Sequence, residues 1–456
     1  MKKQGSTAAA NNAKSQTGES EVKLTEQRDG LGGIPGLLVG IGITALLLFL
    51  LSPDLAFGDP PPEATPTPDG VPAPQKNSSG FDRLIEAYTS VIRDTPNSAN
   101  AYALRGATKY AKGDLAGALA DVEQALMLDP HCSSALGSRA TIRQKKGDFN
   151  GAIEDLTTLT SETPKAIQAW GTLGVLRWNK GDLDGALHAF NEVIALAPNM
   201  KEALQYRAAI YIRRFAYRDA LQDSNRALDL DPTFTLALAS RAECELQLNN
   251  LDAARQDYNK ALELDPVSAI ALQGLGLVAL HTQDPKTALT YFNRAIQLNV
   301  YPPPYVSRAV AEIALESYHD AIFDLSQAER LDPRNQDGPE TLLWVTRALN
   351  GDLDAANAEL RAYLTERKST DEWGLKRARF LLDEIDEDLF LRKTARAPGE
   401  LCEAYFYSGI KRLLTGDKSG AMDLFDTCTR FEIRGFVEDQ LARIQMKELT
   451  EKPDGE

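Results

Sequence analysis

Four histidines stand at positions 131, 188, 281 and 319, and four cysteines at 132, 244, 402 and 428. Metal sites draw such side chains at short, characteristic spacings, and these histidines never fall close enough together to make a local metal motif. No G-x-x-x-x-G-K-[ST], G-x-S-x-G, H-E-x-x-H or paired C-x-x-C occurs, so phosphate-cradle, nucleophile-elbow, zincin and metal-knuckle chemistry have no sequence basis. No catalytic residue, metal or cofactor is assigned, and no enzymatic activity is expected. The chemistry that does recur is ionic. Arg105, Arg139, Arg207, Arg241 and Arg308 are each followed 16 residues later by an acid: Asp121, Asp155, Asp223, Asp257 and Asp324. At two intervening places both members change together, to Leu173 with Ala189 and to Leu275 with Tyr291. Joint loss marks partners in a structural ion pair rather than a row of basic ligand contacts, because a lone buried charge is costly.

Those pairs sit in a repeat. Prolines at 96, 130, 164, 198, 232 and 266, and alanines at 118, 152, 186, 220, 254 and 288, each keep a spacing of 34 residues. Full units begin at Ala99, Ser133, Ile167, Lys201, Thr235, Ala269 and Pro302. The pattern predicts two amphipathic helices of about a dozen residues per unit. Gly113-Asp114, Gly147-Asp148 and Gly181-Asp182 supply the turn between them, glycine ending one helix and aspartate capping the next. A large side chain fills one register of the second helix: Val122, Leu156, Phe190, Tyr258, Phe292 and Leu325, with Ser224 departing. With Trp170-x-x-Leu173-Gly174 as the nearest match to its opening motif, the chain resembles the tetratricopeptide repeat family over residues 81–365. The fold implied is all-α, a right-handed αα superhelix in which neighbouring units bury one another's apolar faces.

In that family the first helices line an inner groove. The resemblance implies partner contacts from Gln144, Gln168, Trp178, Gln205, Glu243 and Gln273, with Tyr206 and Arg213 adjoining. Trp178 and Tyr206 equally suit filling the interior. The Asn, Lys and Arg set by which family members clamp a chaperone's C-terminal carboxylate is missing. Beyond Asp337 the pattern fades, although a weak unit survives around Asn350-Gly351-Asp352. An amphipathic stretch runs from Asp371 to Arg392, and Pro398-Gly399 breaks the chain. From Cys402 a repeat-like block returns, followed by a capping helix at about 436–449. This final block is similar to the end of bacterial envelope tetratricopeptide proteins of the NlpI type, which implies an adaptor of the cell envelope. Cys402 and Cys428 fall where antiparallel helices bring their ends together, so either a disulfide or two buried thiols fits. Cys132 and Cys244 fall in separate units.

Residues 31–51 form 21 positions without a charge, long enough to span a bilayer as a helix. The polar stretch before this run and the missing A-x-A after it favour an anchor over a cleaved signal. Lys14, Lys23 and Arg28 precede it, and no Lys or Arg occurs from 52 to 75. The positive-inside rule then puts the N-terminus in the cytoplasm and the repeats outside the cell's inner membrane. Gly32, Gly36 and Gly40 have the spacing of close-packed helix pairs, compatible with a homodimer. The organisation expected is a disordered cytoplasmic tail at 1–30, a membrane helix at 31–51 and a Pro-rich spacer at 52–80. The repeat array at 81–365 follows, then degenerate repeat and cap at 366–456. The chain of 456 residues carries a formal charge of −15, which argues against gripping nucleic-acid phosphates. The expected function is a membrane-anchored scaffold that binds proteins or extended peptides. The rival is a cytosol-facing import or chaperone-type receptor.

Overall fold

The computed structural model describes residues 78–298, 304–331, 337–367, 371–391, 397–431 and 437–451. The tail, the apolar run and all but the last residues of the Pro-rich spacer lie outside them. Among the described residues no helix is long and apolar enough to cross a membrane.

Those residues form 22 helices and no strand. The first, α1 (Ser78–Asp94), begins inside the stretch assigned to the spacer. Two helices per unit follow: α2 (Ala99–Lys112) with α3 (Leu115–Leu128), α4 (Ser133–Lys145) with α5 (Phe149–Glu162), and α6 (Ile167–Asn179) with α7 (Leu183–Leu196). Next come α8 (Lys201–Arg213) with α9 (Tyr217–Leu230), α10 (Thr235–Gln247) with α11 (Leu251–Leu264), and α12 (Ala269–His281) with α13 (Pro285–Gln297). The seventh unit is α14 (Tyr305–Ile313) with α15 (Tyr318–Leu331), and α16 (Asp337–Leu349) with α17 (Leu353–Glu366) forms the weak one. The C-terminal part comprises α18 (Glu372–Leu381), the single turn α19 (Glu387–Leu389), α20 (Pro398–Leu414), α21 (Lys418–Thr429) and α22 (Val437–Glu451).

Local chemistry sets the ends. Gly113, Gly147 and Gly181 take left-handed φ values of 97°, 80° and 79°, where a Cβ would crowd the backbone. One residue later Asp114, Asp148 and Asp182 each accept the backbone N–H three residues on at 2.9 Å, satisfying an orphan donor of the second helix. The phased alanines Ala118, Ala152, Ala186, Ala220, Ala254 and Ala288 are all fully buried, so only a methyl group fits where the two helices of a unit cross. The large register pushes into facing glycines. A Cβ added at Gly274 would lie 2.2 Å from the Tyr258 ring, and one at Gly276 2.4 Å from Phe292.

From α1 to α18 each helix packs on the next, and units stack in chain order, an αα solenoid of tetratricopeptide type. First helices also touch across units, α2 with α4, α8 with α10, and α10 with α12, while second helices make far sparser contact with each other. The first helices therefore form the inner layer. The C-terminal part departs from expectation in two places. The stretch from Asp371 to Arg392 is two elements, because Asp383 takes a φ of 62° and ends α18. An ion pair with Lys411 holds Asp383 in place. Pro398 starts a helix: it occupies the first turn of α20, where its fixed φ and missing N–H cost nothing.

Candidate protein-binding groove

The inner layer is held by five forked ion pairs. Arg105 Nε and Nη2 donate to Asp121 at 2.8 and 2.7 Å, and Arg139 Nη2 donates to Asp155 at 2.6 Å. Arg207 reaches Asp223 at 2.6 and 2.7 Å, Arg241 reaches Asp257 at 2.6 and 2.8 Å, and Arg308 reaches both oxygens of Asp324 at 2.6 Å. All five aspartates are buried, and the bidentate geometry satisfies both oxygens. Four of the arginines have a further partner on the preceding helix that the sequence reading did not find: Arg105 Nη1 donates to Thr89 of α1 at 3.1 Å, and Arg207, Arg241 and Arg308 each reach an asparagine. Their Nη1 atoms donate to Asn191, Asn225 and Asn293 at 2.9, 3.0 and 2.6 Å, each on the second helix of the preceding unit. One guanidinium thus ties together three helices of two units. The signal was present, since asparagine follows the large register of the second helix in each of those units.

The eight residues assigned to the groove divide by exposure. Gln144 and Gln168 are half-buried and Arg213 is exposed. Trp178 is 4% exposed, with the Arg213 guanidinium 5.9 Å from its ring centre and no partner for its buried indole N–H. The other four are closed off from solvent. Tyr206 lies stacked on Phe190 with ring centroids 4.7 Å apart, and burial pushes its phenol well above the usual range. Gln205 donates to Ser240 at 2.6 Å, joining α8 to α10, and its Oε1 is unpartnered. Glu243 accepts from Gln247 at 2.9 Å and from Tyr258 OH at 3.1 Å, and burial raises its carboxyl above the ordinary range. Gln273 is buried in α12, where every residue from Ala269 to Leu280 is shielded.

The end of α12 is met from far along the chain. Helix α22 packs against α14 as well as against α20 and α21. Gln440 Nε2 lies 3.4 Å from the His281 ring at the end of α12, and Glu448, together with burial, raises the Tyr318 phenol to about 12. The chain's own C-terminal helix thus packs on α14 and reaches the C-terminal end of α12.

Behind α22 lies a buried polar cluster that sequence reasoning missed. Arg377 is ion-paired with Glu403, which also accepts from Trp373 Nε1 at 2.6 Å. Tyr407 OH donates to Glu438 at 3.0 Å and meets Thr341 Oγ1 at 3.1 Å. One guanidinium faces two carboxyls. Burial, with Glu438 adding repulsion, holds Glu403 at about 8 despite the attraction of Arg377, and burial raises Glu438 as well. The detectable sign was an arginine on the apolar face of α18, at helical spacing from Trp373 and Leu381.

Cys402 and Cys428 are fully buried, with sulfurs 2.8 Å apart. No group of three or more His, Cys, Asp or Glu residues able to hold a metal occurs among the described residues.

Comparison with known proteins agrees with this geometry. The tetratricopeptide repeat family model matches residues 138–201, 207–269 and 245–299. No curated protein matches the chain. Among solved structures, a tetratricopeptide repeat protein from Parabacteroides merdae is 22% identical, covering 58% of this chain and 98% of its own at a TM-score of 0.45. MamA from Desulfovibrio magneticus is 21% identical over 37% of this chain and 94% of its own, TM-score 0.35. YrrB, described as a TPR protein with an unusual peptide-binding site, is 17% identical over 39% and 91%, TM-score 0.34. Residues 138–201 and 207–299 of this chain are tetratricopeptide repeats.

Proposed function

We propose that the protein is a scaffold that binds extended protein segments along the inner faces of α4 to α8, held at a membrane by the apolar run at 31–51. The observation that carries the reading is the difference between the two halves of the groove. At α12–α14, α22 packs on α14 and reaches His281 at the end of α12. Around α4–α8, Gln144, Gln168 and Arg213 reach solvent beside a Trp178 indole N–H that has no partner. A buried donor without an acceptor is costly, and the Arg213 guanidinium 5.9 Å from the Trp178 ring offers donors to a docked carboxylate or carbonyl at the same place. Side-chain amides pair with backbone groups of any sequence, which suits an extended ligand, and the formal charge of −15 favours neutral or basic ones.

The uncharged run of 21 residues and the flanking lysines and arginine support a single-pass anchor with the repeats on the extracytoplasmic side. The Pro-rich spacer gives the repeats reach from the bilayer. The spacing of Gly32, Gly36 and Gly40 suits pairing of two anchors. The C-terminal likeness to envelope adaptors of the NlpI type fits the same placement. Site-specific photocrosslinkers at Gln144, Gln168 and Arg213 of the full chain in its native membrane test the groove, with controls at Asp184 and Lys260 on second helices. Adducts confined to the groove positions are expected, and equal labelling of the controls would sink the reading. Protease added to intact cells tests the placement. Digestion that begins only once the outer envelope is opened supports it, whereas protection until the inner membrane is breached favours the cytosol-facing receptor.

A further inference from the structure

We propose that Cys402 and Cys428 form a structural disulfide that closes the α20–α21 hairpin and makes the seat on which α22 docks. The two thiols face each other across the seam of an antiparallel helix pair. Their sulfurs are already 2.8 Å apart, less than two sulfur radii, so a movement of under about 1 Å reaches the ordinary S–S bond length. The hairpin backbones are close for an independent reason. Gly409 of α20 admits the Phe425 ring, which lies 2.5 Å from where a Cβ would stand. No comparable arrangement surrounds the other cysteines. Cys132 precedes α4 and has Ser134 Oγ at 3.4 Å, and Cys244 is buried in α10 beside Glu243.

Helix α22 sets the order of events. Both cysteines are fully buried. The hydrogen bond from Cys428 and burial push the Cys402 thiol above the ordinary range, and burial raises Cys428 although Cys402 and Arg443 oppose it. Glu438 and Asp439 of α22 add smaller upward pushes at both. Asp439 is itself ion-paired with Arg443 at 3.0 Å. Thiol exchange requires a thiolate that an oxidant can reach, and in the folded chain both cysteines are fully buried, with α22 packed on both helices that carry them, so exchange is slow once α22 has docked. The bond therefore forms before α22 closes over it. One thiolate attacks a disulfide oxidant, a small-molecule or protein disulfide, and releases one of its sulfurs as a thiol. The second cysteine then displaces the other oxidant sulfur, leaving Cys402–Cys428 oxidised and the oxidant reduced to two thiols, which carry the two protons given up by the cysteines.

Refolding of the reduced, denatured full chain in detergent with a glutathione/glutathione disulfide buffer tests this, followed by alkylation under denaturing conditions and peptide mapping. The expected product links the Cys402 and Cys428 peptides and leaves Cys132 and Cys244 alkylated. The same buffer added to reduced, already folded protein is expected to link the pair at least tenfold more slowly. Alkylated Cys402 and Cys428 after refolding, or random pairing among all four cysteines, would overturn the proposal. Equal rates from the folded and unfolded chain would overturn the shielding by α22. The chemistry does not rest on the extracytoplasmic placement. A bond that forms in the refolding buffer but is absent from protein alkylated inside living cells would count against that placement and leave this site standing.

Discussion

At the scale of single residues, the arginine–aspartate pairs show how much a spacing can reveal. Their interval of 16 residues places them at matching heights on the two helices of a unit, and the forked bonds between Arg207 and Asp223 occupy both carboxylate oxygens. Removing the aspartate alone leaves a guanidinium whose remaining acceptor is Asn191. Because Arg207 keeps 18% of its side chain exposed, the cost is reduced by solvent, and Asp223→Ala is expected to lose about 2 kcal/mol. Copying the third unit's own solution, Arg207→Leu with Asp223→Ala, is expected to lose less than the single change. Urea unfolding of the four members of this cycle checks the coupling, and strictly additive losses would refute it. The pairs were legible because both partners recur and vanish together. Exposure was not. Gln205, Glu243 and Gln273 occupy groove positions by count and Tyr206 adjoins one, yet whether such a position meets solvent depends on neighbours that a repeat register does not contain.

At the scale of elements, the first helices begin at Ala99, Ser133, Ile167, Lys201, Thr235 and Ala269, the residues at which the repeat count starts its units. Boundaries were readable there because each turn is fixed by local backbone chemistry. Asp148→Ala removes the side-chain cap of α5 and is expected to cost about 1 kcal/mol. Gly147→Ala forces a Cβ into the left-handed region and is expected to cost about as much. Unfolding midpoints of the two variants check both, and a loss below about 0.3 kcal/mol for either would show that its turn chemistry is dispensable. The same turn between α8 and α9 places Phe215 at a φ of 59°, so stacking of whole units overrides an unfavourable residue where it must. The break in the stretch from Asp371 to Arg392 escaped sequence reasoning for a related reason. Nothing local marks Asp383 for the left-handed region, and the ion pair that holds it comes from Lys411 on another helix.

At the scale of the whole described chain, the feature with the least sequence signal is the return of α22 to α12 and α14, across a separation of 159 residues between Gln440 and His281. It brings acids into the interior: Glu438 and Asp439 are buried along with Glu403, against Arg377 and Tyr407. Glu403 and Glu312 sit near 8 and Glu340 near 7, with Glu438 also raised, each chiefly through burial. An acid with a folded pKa above its unfolded value of about 4.3 holds its proton in the native state and releases it on unfolding. The stabilisation is complete at low pH, declines as pH climbs above about 4.3, and is gone once pH has passed the folded value near 8. Urea midpoints are therefore expected to fall between pH 5.5 and 8.5, and amide exchange in α22 to quicken over the same interval. Glu438→Gln keeps the acceptor for Tyr407 and the Arg377–Glu403 pair while removing the second carboxyl. It is expected to flatten the slope and to strengthen α22 at pH 8.5, by removing the carboxyl whose repulsion adds to the burial of Glu403. A slope unchanged by Glu438→Gln would mean that this cluster does not govern the docking of α22 and that the groove closure depends on apolar contact with α14 alone.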